Sequence, residues 1–176
     1  MNKTEIMQIF RMAINNNDVK SQLLLGQYYE QGVGVQKDLS KAAHWYTAAA
    51  LQGDVQSLYS LGKFYKEGIA IPQNYTESAR CYQAAAKQGH STAQCNLGLY
   101  YECGIGVQKD EELAVKWYKA AAEGNNAMGQ YHLGLCFLNG VGVPKDVVEA
   151  ADWLKKASEK GIEEAKNSLE LCYASN

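Results

Sequence analysis

The feature that most limits what this chain can become is that it copies itself every 36 residues. Leu25-Gly26, Leu61-Gly62, Leu97-Gly98 and Leu133-Gly134 recur without insertion or deletion. Tyr29, Tyr65, Tyr101 and Phe137 form a second column, and Gly32, Gly68, Gly104 and Gly140 a third. The next segment is copied too, as Val33-Gly34-Val35, Ile69-Ala70-Ile71, Ile105-Gly106-Val107 and Val141-Gly142-Val143. The second half of each copy carries Trp45, Cys81, Trp117 and Trp153, with Ala49, Ala85, Ala121 and Ala157 four residues later. A period of this size marks stacked supersecondary units, none of which covers its own apolar face alone.

Both halves of the unit read as helix. Ser21, Leu25, Tyr28, Tyr29 and Gly32 keep the i, i+4, i+7, i+8, i+11 spacing of one helical stripe, and Ala42, Trp45, Tyr46 and Ala49 keep another. Gly32 and its copies stand where a left-handed residue would end the first helix. Asp38, Asn74, Asp110 and Asp146 stand where a side-chain oxygen would cap the second. Asn74 with Glu77, and Asp146 with Glu149, have capping-box spacing. Gly26, Gly62, Gly98 and Gly134 fall inside helices, where glycine costs about 1 kcal/mol relative to alanine. Their recurrence implies close approach of a neighbouring helix, expected under the aromatic column of Trp45, Trp117 and Trp153. Truncating one of those tryptophans would then cost roughly 3–5 kcal/mol.

The ends keep register. Ile9 and Phe10 precede Trp45 and Tyr46 by one period, and Ala165, Leu169, Cys172 and Tyr173 fall in first-helix columns. Asn17 and Asn125 stand in the column of Gly53, Gly89 and Gly161, and asparagine tolerates positive φ next best. The expected organisation is a single domain over 1–176, with a leading half repeat at 3–17. Full repeats follow at 18–53, 54–89, 90–125 and 126–161, then a trailing half repeat at 162–176, giving about ten helices.

Composition narrows the functional classes. A net charge of -2 with well-mixed signs gives no basic footprint for a phosphate backbone, so nucleic acid is not an expected partner. No stretch approaches the roughly 20 apolar residues of a membrane span, and the first 17 residues carry Glu5 and Arg11 rather than a secretion signal. Cys81, Cys95, Cys103, Cys136 and Cys172 are odd in number and lack CxxC pairs, so reduced structural thiols in a cytoplasmic protein are expected. Cys136 and Cys172 share a column, but stacked helices stand about 8–10 Å apart, too far for a disulfide.

Sites for chemistry are not assembled by the sequence. Gly32-Val33-Gly34 and its copies follow a helix and lack the third glycine of a dinucleotide fingerprint. His44, His90 and His132 lack ligand spacing, so neither a metal nor a cofactor is expected. His44 and His132 are expected at the surface or in a groove. His90 shares a column with Asp18, Asp54 and Asn126, which makes it a cap substitute.

The columns resemble the Sel1-like repeat family, relatives of the tetratricopeptide repeat. Ala93, Leu97-Gly98, Tyr101, Gly104, Gly106-Val107, Lys109-Asp110, Ala114, Trp117-Tyr118 and Ala121-Ala122 carry the resemblance over nearly the whole chain. The second unit departs from it, with Ala70, Pro72, Asn74, Ser78 and Cys81. The resemblance implies an all-α, right-handed α/α superhelix whose first helices line a concave face. A cysteine-rich secreted branch of the family is linked to penicillin binding and β-lactam hydrolysis. Its inter-repeat cysteine positions are held here by Ala50 and Ser57, and by Ala86 and Ala93, so that chemistry is not carried over.

What the resemblance implies for function is a groove on the first helices. Its columns read Leu23, Tyr59, Cys95, Tyr131, Asn167; Gln27, Lys63, Leu99, Leu135, Leu171; and Glu30, Lys66, Glu102, Leu138, Ala174. These vary while the packing columns do not. The partner-binding residues expected are Tyr59, Lys63, Lys66, Leu99, Met128, Tyr131, Leu135 and Leu138. Leu99, Leu135 and Leu171 could instead pack on each other. The expected function is an adaptor that holds a protein or peptide; the alternatives are an inhibitor or immunity protein against one toxin or enzyme, and, from another class, an enzyme.

Overall fold

The computed structural model describes residues 3–174, and among them are ten α-helices and no strand. They are α1 (Lys3–Asn15), α2 (Val19–Gln31), α3 (Leu39–Leu51), α4 (Val55–Glu67), α5 (Tyr75–Lys87), α6 (Ser91–Cys103), α7 (Glu111–Glu123), α8 (Ala127–Asn139), α9 (Val147–Glu159) and α10 (Glu163–Ala174). The last two residues of the expected trailing half repeat lie outside the described ones. No described helix is long and apolar enough to cross a membrane.

Helix starts follow the local chemistry. Asp38, Asp110 and Asp146 accept a backbone N–H three residues on, from Lys41, Leu113 and Glu149. Asn74 accepts from Glu77 at 3.1 Å. The capping boxes are only half made, because the cap's own N–H is already taken. Asp38, Asn74, Asp110 and Asp146 donate to the carbonyls of Tyr29, Tyr65, Tyr101 and Phe137, at 2.9 Å each. Thus the second column of the repeat ties each loop back to the helix before it. The first-helix caps are Asp18, Asp54, His90 and Asn126, all extended, and His90 Nδ1 accepts from Ala93 N–H at 3.1 Å.

Helix ends follow too. Gly32, Gly68, Gly104 and Gly140 are left-handed, with φ between 68° and 77°. Asn17 and Asn125 take φ of 52° and 64°, as their column requires. In the second unit Ala70 holds φ 59° where the other copies use glycine, a local strain confined to that loop.

The chain forms two compact units, Met1–Ala85 and Ala86–Asn176. In the first, α1 packs on α2, α2 on α3, α3 on α4, and the first helices α2 and α4 touch directly. Its core holds Ala42, Ala43, Tyr46 and Phe64. In the second, α6 through α10 pack in sequence, and α8 also meets α6 and α10. One cluster gathers Cys95, Tyr118, Leu133 and Cys136; another gathers Leu138, Leu154, Ala165 and Cys172.

The mid-helix glycines do mark close approach, but the side chain lying over them is not tryptophan. A Cβ on Gly26 would lie 2.5 Å from the Tyr46 ring, one on Gly62 2.7 Å from Tyr82, and one on Gly98 2.6 Å from Tyr118. Gly134 faces Leu154 instead. The column that closes on the glycines is therefore one residue later than expected. Residues 45 and 46 point about 100° apart around a helix, so only one can face the partner. Tyr46, Tyr82 and Tyr118 are fully buried, while Trp45, Trp117 and Trp153 are half-buried on the rim. Trp45 meets Phe10 edge-on at 6.3 Å, and Lys156 sits 3.9 Å over Trp153. The largest truncation loss thus belongs to the tyrosines.

Candidate functional site

The candidate residues lie on first helices, whose packed stripe is fixed by Leu25, Leu61, Leu97 and Leu133. Other faces of the same helices are freer, and they differ between the two units.

In the first unit α2 and α4 present a charged face. Lys66 is exposed; Lys63 is part-exposed, with Nζ 3.8 Å from Glu30 Oε1. Glu30 Oε2 accepts from the Tyr46 hydroxyl at 2.5 Å. Tyr46 is thereby held protonated: burial first, and then the Glu30 carboxylate, push its phenol far above its ordinary range. Tyr59 is half-buried, its ring 5.9 Å from that of Tyr82.

In the second unit the equivalent face is largely apolar. Met128 is exposed, and Leu99, Tyr131 and Leu135 are half-buried on α6 and α8. Leu171 on α10 is 60% exposed, so it is not consumed by packing against the other leucines of its column. Glu102 accepts a short hydrogen bond from the Tyr118 hydroxyl, repeating the Glu30–Tyr46 pair two repeats later. His132 stacks on Tyr118, with ring centroids 4.9 Å apart and planes within 11°, and its other neighbour is Tyr131 at 5.4 Å. Burial holds His132 below its usual pKa, against a smaller opposing pull from Glu102.

Two expected groove residues are core residues. Leu138 is 9% exposed and packs in the same cluster as Leu154. The cause is paired substitution: where two other repeats join Glu to Tyr, this one has leucine at both positions and closes dry. Cys95 is buried as well, in the Tyr118 cluster. The Glu–Tyr contact was the feature sequence reasoning missed. Its signal was a 16-residue spacing in two repeats, Glu30 to Tyr46 and Glu102 to Tyr118, replaced by Leu138 and Leu154 in the fourth.

Other polar groups serve the fold. Buried Gln22, Gln94 and Gln130 donate to the carbonyls of Ala13, Ala86 and Ala122, which end the preceding helix. Gln52 and Lys160 reach back to Asn17 and Asn125, holding the positive-φ corners. All five cysteines are free. Burial pushes the Cys95 and Cys136 thiols up to about 12 and Cys81 up to about 11, which makes them poor nucleophiles. Among the described residues no group of three or more His, Cys, Asp or Glu could hold a metal ion.

No curated protein matches the chain. Several solved structures do. A protective antigen of uropathogenic Escherichia coli displaying an SLR fold is 38% identical, with a TM-score of 0.90; the match covers 97% of this chain and 36% of that one. The chain thus spans about a third of that relative's length. A Sel1 repeat protein of Oxalobacter formigenes is 31% identical, with a TM-score of 0.86 over 99% of this chain and 75% of the other. The cysteine-rich protein B of Helicobacter pylori is 29% identical, with a TM-score of 0.60 over 78% of this chain and 99% of that one. The Sel1 repeat is matched four times in succession, at residues 19–54, 55–90, 91–126 and 127–162. With the fold, the register and these matches in agreement, the chain belongs to the Sel1 repeat family.

Proposed function

We propose that the chain is an adaptor that holds a segment of another protein against the free faces of its first helices. Sel1 repeats generally mediate protein interactions. The observation that carries the reading for this chain is the apolar face of the second unit. Leu99, Tyr131 and Leu135 keep part of their surface in water beside exposed Met128, although the core beneath them is complete. Leucine, methionine and tyrosine grouped on paired helices suit a peptide or helix partner.

The test is a double variant, Tyr131→Ala with Leu135→Lys. Capture of the partner by the native protein, identified by cross-linking in the host, should be lost in the variant while its helical circular dichroism is kept. Undiminished capture by the folded variant would remove the face from consideration. The same reading puts the protein in the cytoplasm, where five free thiols persist; recovery in an oxidising compartment on cell fractionation would contradict it.

A further inference from the structure

Comparison of the chain's two Glu–Tyr pairs gives the partner's chemistry, on the assumption that the binding reading above holds. Glu30 and Glu102 occupy one register position, two repeats apart, and each is anchored through Oε2 by a buried tyrosine hydroxyl. The other oxygen of Glu30 faces the Lys63 ammonium at 3.8 Å. At the register position of Lys63, the second unit has Leu135. Among the described residues no Lys, Arg or His nitrogen lies within 4.0 Å of the Glu102 carboxylate. Lys109 feels the charge of Glu102, but its ammonium is 2.7 Å from Glu111. Burial lowers the pKa of His132, stacked nearby, which disfavours its cationic form.

A half-buried carboxylate fixed by a tyrosine hydroxyl, on a helix face shared with Leu99 and with Leu135 in place of a lysine, is a charge awaiting its counter-ion. We infer that the second unit takes a partner segment carrying a lysine or arginine flanked by apolar residues, with the cation on Glu102 and the apolar side chains on Leu99, Met128 and Leu135. An acidic segment is repelled by the same carboxylate. The first unit makes no such demand, because Lys63 already balances Glu30.

Phage-displayed random dodecamer peptides, selected on the native chain, test this. Retained clones should be rich in Lys or Arg next to Leu, Ile, Met or Phe. One such peptide is then titrated against the native protein, Glu102→Gln and Leu135→Lys, alongside its own Lys/Arg→Gln version. Glutamine still accepts from Tyr118, and thermal melts confirm that both variants fold. Glu102→Gln and the peptide substitution should each weaken binding by on the order of tenfold, and together by little more than either alone. Leu135→Lys, which rebuilds the Lys63 arrangement, should erase the preference for cationic peptides. Clones without cationic enrichment, or equal binding by Glu102→Gln, would overturn the inference and leave the binding reading standing. If no peptide is held better by the native chain than by the Tyr131→Ala, Leu135→Lys variant, the binding reading fails and the inference with it.

Discussion

The space of one methyl group sets how closely the two helices of a repeat approach. A Cβ at Gly98 would stand 2.6 Å from the Tyr118 ring, and that ring is fully buried with its hydroxyl tied to Glu102. Alanine would gain about 1 kcal/mol of helix propensity, but overpacking of this kind costs typically 1–3 kcal/mol. Gly98→Ala is therefore expected to destabilise the protein by up to about 2 kcal/mol in urea unfolding; a stabilised variant would show that the ring is free to move. Burial makes a second residue-scale distinction, among the thiols. Cys103 is exposed, whereas Cys95 and Cys136 are buried with thiols raised to about 12. Iodoacetamide at about pH 8 should add to Cys103 in the native state and reach Cys95 and Cys136 only after denaturation, as read by peptide mass. Fast native labelling of Cys95 would contradict the packing of α6.

At the scale of the element, the caps set where helices begin, and one of them titrates. His90 caps α6 through Nδ1, which accepts only when the ring is neutral, and burial lowers its pKa from 6.5. A folded-state pKa below the unfolded one means that the unfolded chain binds more protons. The contribution is thus fully present above about pH 6.5 and is lost as pH falls below it. His132 adds in the same direction. His90→Asn keeps an acceptor at the cap, as Asn126 does for α8. Its melting temperature should fall less between pH 7 and pH 5 than that of the native protein; identical slopes would assign the pH dependence elsewhere.

For the molecule as a whole, charge is the property that acts at a distance. The net charge of -2 comes from 17 basic and 19 acidic residues, and five ion pairs among the described residues occupy part of both sets. A chain so nearly balanced is expected to release few counter-ions from DNA. A labelled DNA duplex should show no anisotropy change with the protein at roughly 0.15 M salt, and saturable binding there would contradict this. The two units also divide the candidate surface between them. One offers exposed Lys66 and a Lys63 paired with Glu30; the other offers leucine, methionine and tyrosine and a Glu102 with no cation within 4.0 Å among the described residues.

Periodicity alone determined the helices, their caps and their ends, because these depend on residues within one turn of each other. Asp38 finds the N–H of Lys41, and Gly32 takes the left-handed turn, whatever the rest of the chain does. The positive-φ asparagines and the histidine cap could be read for the same reason. Which member of an adjacent pair faces the neighbouring helix depends on the phase between two helices, and only the packed structure set that phase. It turned Tyr46 inward and Trp45 to the rim. The same dependence buried Leu138, since the fate of a groove position rests on the residue opposite: buried Tyr118 opposite Glu102 holds a carboxylate half in water, and leucine opposite Leu138 closes on it. Local rules fix the backbone, but a side chain's access to a partner is decided by what stands across from it.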